Sequence, residues 1–486
     1  MSSRPVMKRD MLITGSAMVA VWIVFKCFYP YADYFTDSYS YIQAAADKDI
    51  IGYRPIGYSI FLRLVHVIST SDTFLVSLQY VLVQSVSLVL YVRLEKLCRP
   101  ARWVQRLLLI FFVFNPVIPY TCNYVSSDAL FIALSLLWLN LLIGIILRPS
   151  WGRLWLQLLL LAFIFNIRYV ALYYPAVAAI AFFLIRKDLL LKKVVGITTS
   201  LAVVLASIFF IKSVTRRETG APIFSAFSGW QIANNALHMY PYIPVDTQGL
   251  PSMESLMLTA YTKVYFDRVG PELIKKGPSA TTAYMWERGS PLRQYLYAYQ
   301  KQHSLSYFDA WNRTGVVLTE YGYHLVRKHP LAFGRYYLWE SAKSYFYTPL
   351  DVYAVYNEGN KDVDVVAKDW FKYRSKRLWV SSATIQGKLL GWIPALYIIL
   401  NVVFVLAALL LLRVRELRQR HPEFTLCLRL ICAYLLANAA FCIFASPTVL
   451  RYQVLPVILL FVFTVYAVHF VTSQDGDKSF TGQRRN

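Results

Sequence analysis

Residues 154–185 read LWLQLLLLAFIFNIRYVALYYPAVAAIAFFLI, 32 almost uninterrupted apolar positions. As a single helix they would extend roughly 48 Å, against a hydrocarbon core of about 30 Å. Arg148 and Arg153 precede the stretch; Arg186, Lys187, Lys192 and Lys193 follow it. Short cytoplasmic loops concentrate Lys and Arg, so both groups belong on the same side and an even number of crossings lies between them. The spacing predicts two short helices with a break near Asn166, Arg168 and Tyr169, on the outer side. Halves this short imply a thinned bilayer or a protein-lined cavity at that level.

Similar apolar runs lie at residues 11–28, 74–92, 107–121, 129–147, 194–211, 389–412, 425–445 and 453–471, giving ten expected crossings in all. The chain is 57% apolar and 16% charged over 486 residues, which is too apolar for a soluble multidomain protein. Its net charge of +23 would suggest nucleic acid in a soluble chain, but the distribution accounts for it. With a cytoplasmic N-terminus, the inner loops and tails hold 22 Lys and Arg against seven Asp and Glu. The segment 212–388 holds 22 basic and 14 acidic residues, and the remainder six of each. No nucleic-acid partner is needed.

The expectation is an all-α polytopic membrane protein of about ten transmembrane helices. Residues 1–212 form a seven-span module, 213–388 a large, mainly helical extracytoplasmic segment, and 389–486 a three-span module with a cytoplasmic tail. The first apolar run lacks a small-residue cleavage site and is expected to be a retained anchor. The six cysteines (27, 98, 122, 427, 432 and 442) sit in or beside spans, and 213–388 has none. This suits a bacterial inner membrane, with both termini cytoplasmic. In the outer segment, 292–302 and 331–346 have helical character, and Gly249, Pro251, Gly270, Pro271, Gly277 and Pro278 mark turns. Its many tyrosines suit interface anchors or core better than a sugar platform.

Chemistry-bearing residues collect on the outer side. The first outer loop contains Asp33, Asp37, Ser38 and Tyr41, followed by Arg54-Pro55-Ile56-Gly57-Tyr58. Asp37, just outside the first span, is placed where a water-soluble acceptor could meet a lipid-borne donor; capping a short helix through Ala46, by Asp37 or Ser38, is the alternative role. Ser126-Ser127-Asp128 opens the fourth span, where capping is again the competing role. A carboxylate at membrane depth is costly unless used or paired. Arg54, Arg168 and Arg451 each suit a snorkelling interface residue; gathered in one cavity with Asp37 and Asp128 they would fit a lipid phosphate. His324 follows Glu320 by four residues, yet no metalloprotease-type pattern occurs, and phosphate-cradling glycine loops and nucleophile elbows are missing. The sequon Asn312-Arg313-Thr314 is at chance frequency and carries no weight.

Four elements together resemble the GT-C superfamily of polytopic glycosyltransferases, which includes the protein O-mannosyltransferases and the lipid A aminoarabinose transferases. They are Asp37 with Ser38 and Tyr41; Arg54-Pro55-x-Gly57-Tyr58; Asn115-Pro116 followed by Ser127-Asp128; and Arg451-Tyr452-x-x-x-Pro456. The similarity covers roughly residues 30–185 and 445–457. It implies an inverting transfer from a polyprenyl-phosphate sugar to a glycan, lipid or protein acceptor at the extracytoplasmic face of the cell envelope. Asp37 and Asp128 would be catalytic, with Asp33, Tyr41, Arg54, Tyr58, Arg168, Arg451 and Tyr452 binding substrate. The family commonly has an acidic pair in this loop or close by; here Ser38 follows Asp37, leaving either Asp33 as the partner or none. A divalent cation, Mg or Mn, held by Asp37 and Asp128 is the one cofactor the resemblance leaves open. Two other readings remain: a lipid-linked saccharide polymerase or ligase, with chemistry in the large outer segment, and a flippase or transporter, for which paired repeats or mid-span charges would be expected. A membrane scaffold would give no reason for acids and arginines to gather on one side.

Overall fold

The computed structural model describes residues 8–186, 189–244, 249–276 and 282–473. Among them, eight helices are long and apolar enough to cross a membrane: Arg9–Phe28, Asp72–Cys98, Arg102–Asn123, Ser127–Leu147, Leu190–Thr219, Ile385–Arg413, Pro422–Ala445 and Leu450–Thr472. The chain is an all-α integral membrane protein. Ser127–Leu147 is apolar around its whole circumference and is the innermost helix, with 83% of its apolar window buried, against 17% for Leu190–Thr219. The outer helix turns Leu201, Phe209 and Phe210 outward, a face that only lipid can cover favourably.

The stretch 154–185 breaks at Arg168. Helix Trp151–Ile167 ends there, Arg168 is extended (φ −151°, ψ 129°), and a 3-10 turn, Tyr169–Tyr173, leads into helix Tyr174–Phe183. Both helices are shorter than a full crossing: the first, 17 residues long, extends about 25 Å. Their polar side chains are paired inside the bundle, as the lack of water in lipid requires. Trp138 Nε1 donates to Gln157 Oε1 at 3.1 Å, Gln157 Nε2 to Ser200 Oγ at 3.0 Å, and the Tyr174 hydroxyl to Ser135 Oγ at 2.8 Å.

The first outer loop is pinned to the turn before helix Ser127–Leu147. The Asp33 amide donates to Asn123 O at 2.8 Å and the Val125 amide to Asp33 O at 3.1 Å, a short parallel bridge centred on Asp33 and Tyr124. The Asp33 side chain then accepts from the amides of Tyr34 and Asn357 at 2.8 and 2.7 Å. Tyr356 donates to Ala32 O at 2.7 Å, and Asp72 Oδ2 accepts from the Ala32 amide at 2.7 Å. Burial pushes the Asp33 carboxyl up to about 7, more than its amide donors offset.

The segment 213–388 feeds two cores. Residues 351–378 return to the membrane module, burying Tyr353, Tyr356, Val363 and Phe371 in its core; the Tyr124 hydroxyl donates to Val352 O at 2.7 Å. Helices Ser228–Leu237, Met253–Lys276, Pro291–His303 and Tyr307–Lys328 build a second core around Trp230 and Trp311, stacked at 3.8 Å. Ser228–Leu237 and Tyr307–Lys328 cross closely because glycines stand at the contact. A Cβ on Gly229 would lie 1.9 Å from Gly315 O, and one on Gly322 2.8 Å from the Ala233 amide nitrogen. The expected helices at 292–302 and 331–346 are present, the latter continued through one π turn, Gly334–Leu338. The turn expected at Gly270-Pro271 is instead helix, continuous from Met253 to Lys276. Leu258 and Phe266, buried earlier in that helix, anchor it to the core, and it outlasts the missing proline donor. Gly277 and Pro278 lie outside the described residues. The tyrosines are mainly core: Tyr240, Tyr284, Tyr295, Tyr321 and Tyr337 are buried. Asn312 of the sequon is also buried and donates to Phe308 O.

Gly229→Ala is expected to destabilise the protein by about 1–3 kcal/mol through overpacking, read as a lower melting temperature in detergent. Gly334→Ala, whose Cβ would meet open space, should leave it nearly unchanged. The raised Asp33 carboxyl has a pH signature. Its contribution to stability is fully present below the unfolded value of about 4 and is lost as pH rises through about 7. Asp33→Asn keeps the acceptor oxygen without the charge, so melting temperatures between pH 5 and 8 should decline in the parent protein and flatten in the variant.

Candidate functional site

A cavity of ≈ 510 Å³ lies where the two cores meet. On one side stand Asp37, Tyr41, Arg54, Ser127, Asp128, Arg168, Arg451 and Tyr452, residues drawn from four separated parts of the sequence. The lining is completed by Phe227, Gln231, Asn235, Trp286 and Tyr323 from the second core, with Phe441 and Phe444 at the end of helix Pro422–Ala445.

Asp37 lies in the first turn of helix Thr36–Ala46, but it does not cap that helix. Ser38 Oγ accepts from the Phe35 amide at 3.2 Å, leaving the Asp37 carboxylate to the cavity. Its Oδ1 is paired with Arg54 and its Oδ2 with Arg451 Nη1 at 3.1 Å. Burial alone would raise this carboxyl; the Arg54 and Arg451 guanidinium groups outweigh it and hold the group below its ordinary value. Arg54 is seated on Phe227, 4.4 Å from the ring centre. Arg451 lies 4.7 Å from the Tyr452 ring and 4.8 Å from that of Phe35, its Nη2 donates to the Tyr452 hydroxyl at 2.9 Å, and its Nε is 3.9 Å from Asp351.

Asp128 is ion-paired in its turn, with Arg168. Ser126 does the capping, accepting from the Asp128 amide, while its hydroxyl donates to Asp128 Oδ2 at 2.9 Å. Arg168 reaches this pair because it occupies the break between the two short helices; its guanidinium lies 4.4 Å from the Tyr452 ring. Tyr41 and Ser127 share a hydrogen bond of 2.9 Å. Gly57 permits the approach of its helix to that same break: a Cβ there would lie 2.5 Å from Asn166 O. Pro456, inside helix Leu450–Thr472, has no N–H for the Tyr452 carbonyl one turn earlier.

Of the expected site residues, Asp37, Asp128, Tyr41, Arg54, Arg168, Arg451 and Tyr452 line the cavity, whereas Asp33 and Tyr58 do not. Asp33 is buried in the bridge that pins the loop. Tyr58 is fully buried behind Tyr41, with ring centres 5.0 Å apart, and donates to Gln79 Oε1 at 2.7 Å. Sequence reasoning missed the aromatic and amide wall. Phe227, Gln231 and Asn235 recur every four residues and so share one helix face, which is the signal that would have exposed them.

The charged groups lining the cavity are three arginines and two aspartates, with Asp351 standing 3.9 Å from Arg451 Nε. Guanidinium groups seated on aromatic rings in this way can offer an organic anion charge-assisted donors beside apolar contact. Each of the two carboxylates is engaged by arginine, and among the described residues no group of three His, Cys, Asp or Glu comes together. No family model, curated protein or solved structure matches this chain.

Proposed function

We propose that the protein is an inverting glycosyltransferase of GT-C type, moving a sugar from a polyprenyl-phosphate donor to an acceptor at the extracytoplasmic membrane face. The observation that carries this reading is the convergence of Asp37, Asp128, Arg54, Arg168 and Arg451 on one cavity walled by aromatic rings. In this reading the two short helices also cross, making ten spans, with both termini cytoplasmic and 213–388 outside, in a bacterial inner membrane.

A polyprenyl chain cannot leave the bilayer, so the acceptor must come to the interface. The acceptor oxygen attacks the anomeric carbon as Asp37 takes its proton. The bond from that carbon to the phosphate oxygen breaks, and the electron pair departs on the phosphate. Arg54, Arg168 and Arg451 stabilise the growing negative charge. Asp128, ion-paired and capped by Ser126, keeps Arg168 aimed into the cavity. A polymerase or ligase with its chemistry in the large outer segment is less well supported, since among the described residues that segment brings rings and amides to the cavity but no carboxylate.

Asp37→Asn is expected to lower sugar transfer by roughly 10²–10⁴-fold, the range for loss of a general base, without changing expression or membrane insertion. Transfer of a labelled sugar from a polyprenyl-phosphate donor in reconstituted membranes measures it, and full transfer by the variant would remove Asp37 from the mechanism.

A further inference from the structure

Arg54 and Arg451 serve two clients in this cavity. Both are paired with Asp37, one on each carboxylate oxygen, and both are also the groups a phosphate would need. A guanidinium whose charge is already matched by a buried carboxylate is a weaker phosphate ligand. Conversely, a carboxylate gripped from both oxygens is a poor proton acceptor.

Resting on the transferase reading, we infer that phosphate and Asp37 compete for the same two guanidinium groups, so that docking of the donor's phosphate releases Asp37 to act as base. Each arginine has a second hold that keeps it at the cavity when the carboxylate lets go. Arg54 is seated on Phe227; Arg451 is bonded to the Tyr452 hydroxyl and stands 3.9 Å from Asp351. Asp128 differs, because Ser126 donates to it from its own helix cap and remains in place if Arg168 moves. Once freed, the Asp37 carboxylate is buried with its countercharges diverted, and burial then raises its basicity. The base is switched on by the substrate it serves.

The competition makes a signed prediction. Removing the competitor should strengthen phosphate binding, whereas a carboxylate that assists binding, directly or through a cation, would weaken it on removal. In the full-length protein in nanodiscs, affinity is titrated calorimetrically with geranyl phosphate and, separately, with inorganic phosphate. Asp37→Asn should bind tighter by roughly tenfold, as expected from removing one charge-assisted competitor, and Arg54→Gln and Arg451→Gln should bind more weakly. Tightening with both probes, or with the prenyl ester alone, supports the exchange; the second pattern assigns the site to a lipid headgroup. Unchanged or weaker binding by Asp37→Asn with both probes overturns it. If that variant does not fold, infrared difference spectra of the parent protein replace it, and a carboxylate band unmoved by geranyl phosphate has the same force. Sugar transfer tests the underlying reading separately. Absence of transfer with tightened binding leaves an exchanging phosphate site, and normal transfer with unchanged binding removes the exchange alone.

Discussion

Two backbone hydrogen bonds at Asp33 hold the rest of the site in register. The bridge between Asp33 and the 123–125 turn sets the first outer loop beside the start of helix Ser127–Leu147, placing Asp37 and Asp128 in one cavity although 91 positions separate them in the sequence. The pin is expensive to build. It buries a carboxyl, and it is held from the other side by Asn357, which with Glu358 adopts a left-handed backbone (φ 50° for each), a conformation Asn tolerates but one that costs roughly 1–2 kcal/mol for a side chain such as Glu358. Such strain persists only where surrounding contacts over-determine it, and here Asp33, Tyr356 and Asn360 supply those contacts. The acid that resembles half of a catalytic pair is the rivet beneath the other acid.

The membrane-spanning architecture was legible because lipid imposes strong rules on composition. Apolar length and the lysine and arginine bias place the helices, and the basic groups flanking 154–185 require a break where Arg168 is found. The charged end of the cavity was legible for a related reason: ionisable residues near a bilayer need partners, so Asp37, Asp128, Arg54, Arg168 and Arg451 stood out individually. What could not be read was who pairs with whom. Capping and catalysis make the same demand for Asp or Ser at a helix start, and only coordinates separate Ser38 and Ser126, which cap, from Asp37 and Asp128, which face the cavity.

The remainder was hidden by tertiary packing. Nothing in local sequence tells that 351–378 joins the membrane core while 228–346 builds its own, since both are mixtures of tyrosine, charge and short helix. The close crossing at Gly229, Gly315 and Gly322 depends on two helices about 80 positions apart, and the helix through Gly270-Pro271 survives by anchorage that precedes the proline. In each case long-range contact overrode a sound local rule.

The short helices on either side of Arg168 have a mechanical consequence for the surrounding lipid. A bilayer thins to match apolar elements shorter than its own core, so if both helices cross, as the proposed function has it, the membrane would dimple beside them. Val170, Leu172, Phe441 and Phe444 line the cavity along this flank. On that reading a headgroup in such a depression would ride lower than elsewhere in the sheet and arrive level with the guanidinium groups, so that a lipid could present its polar end without first being lifted out of the membrane.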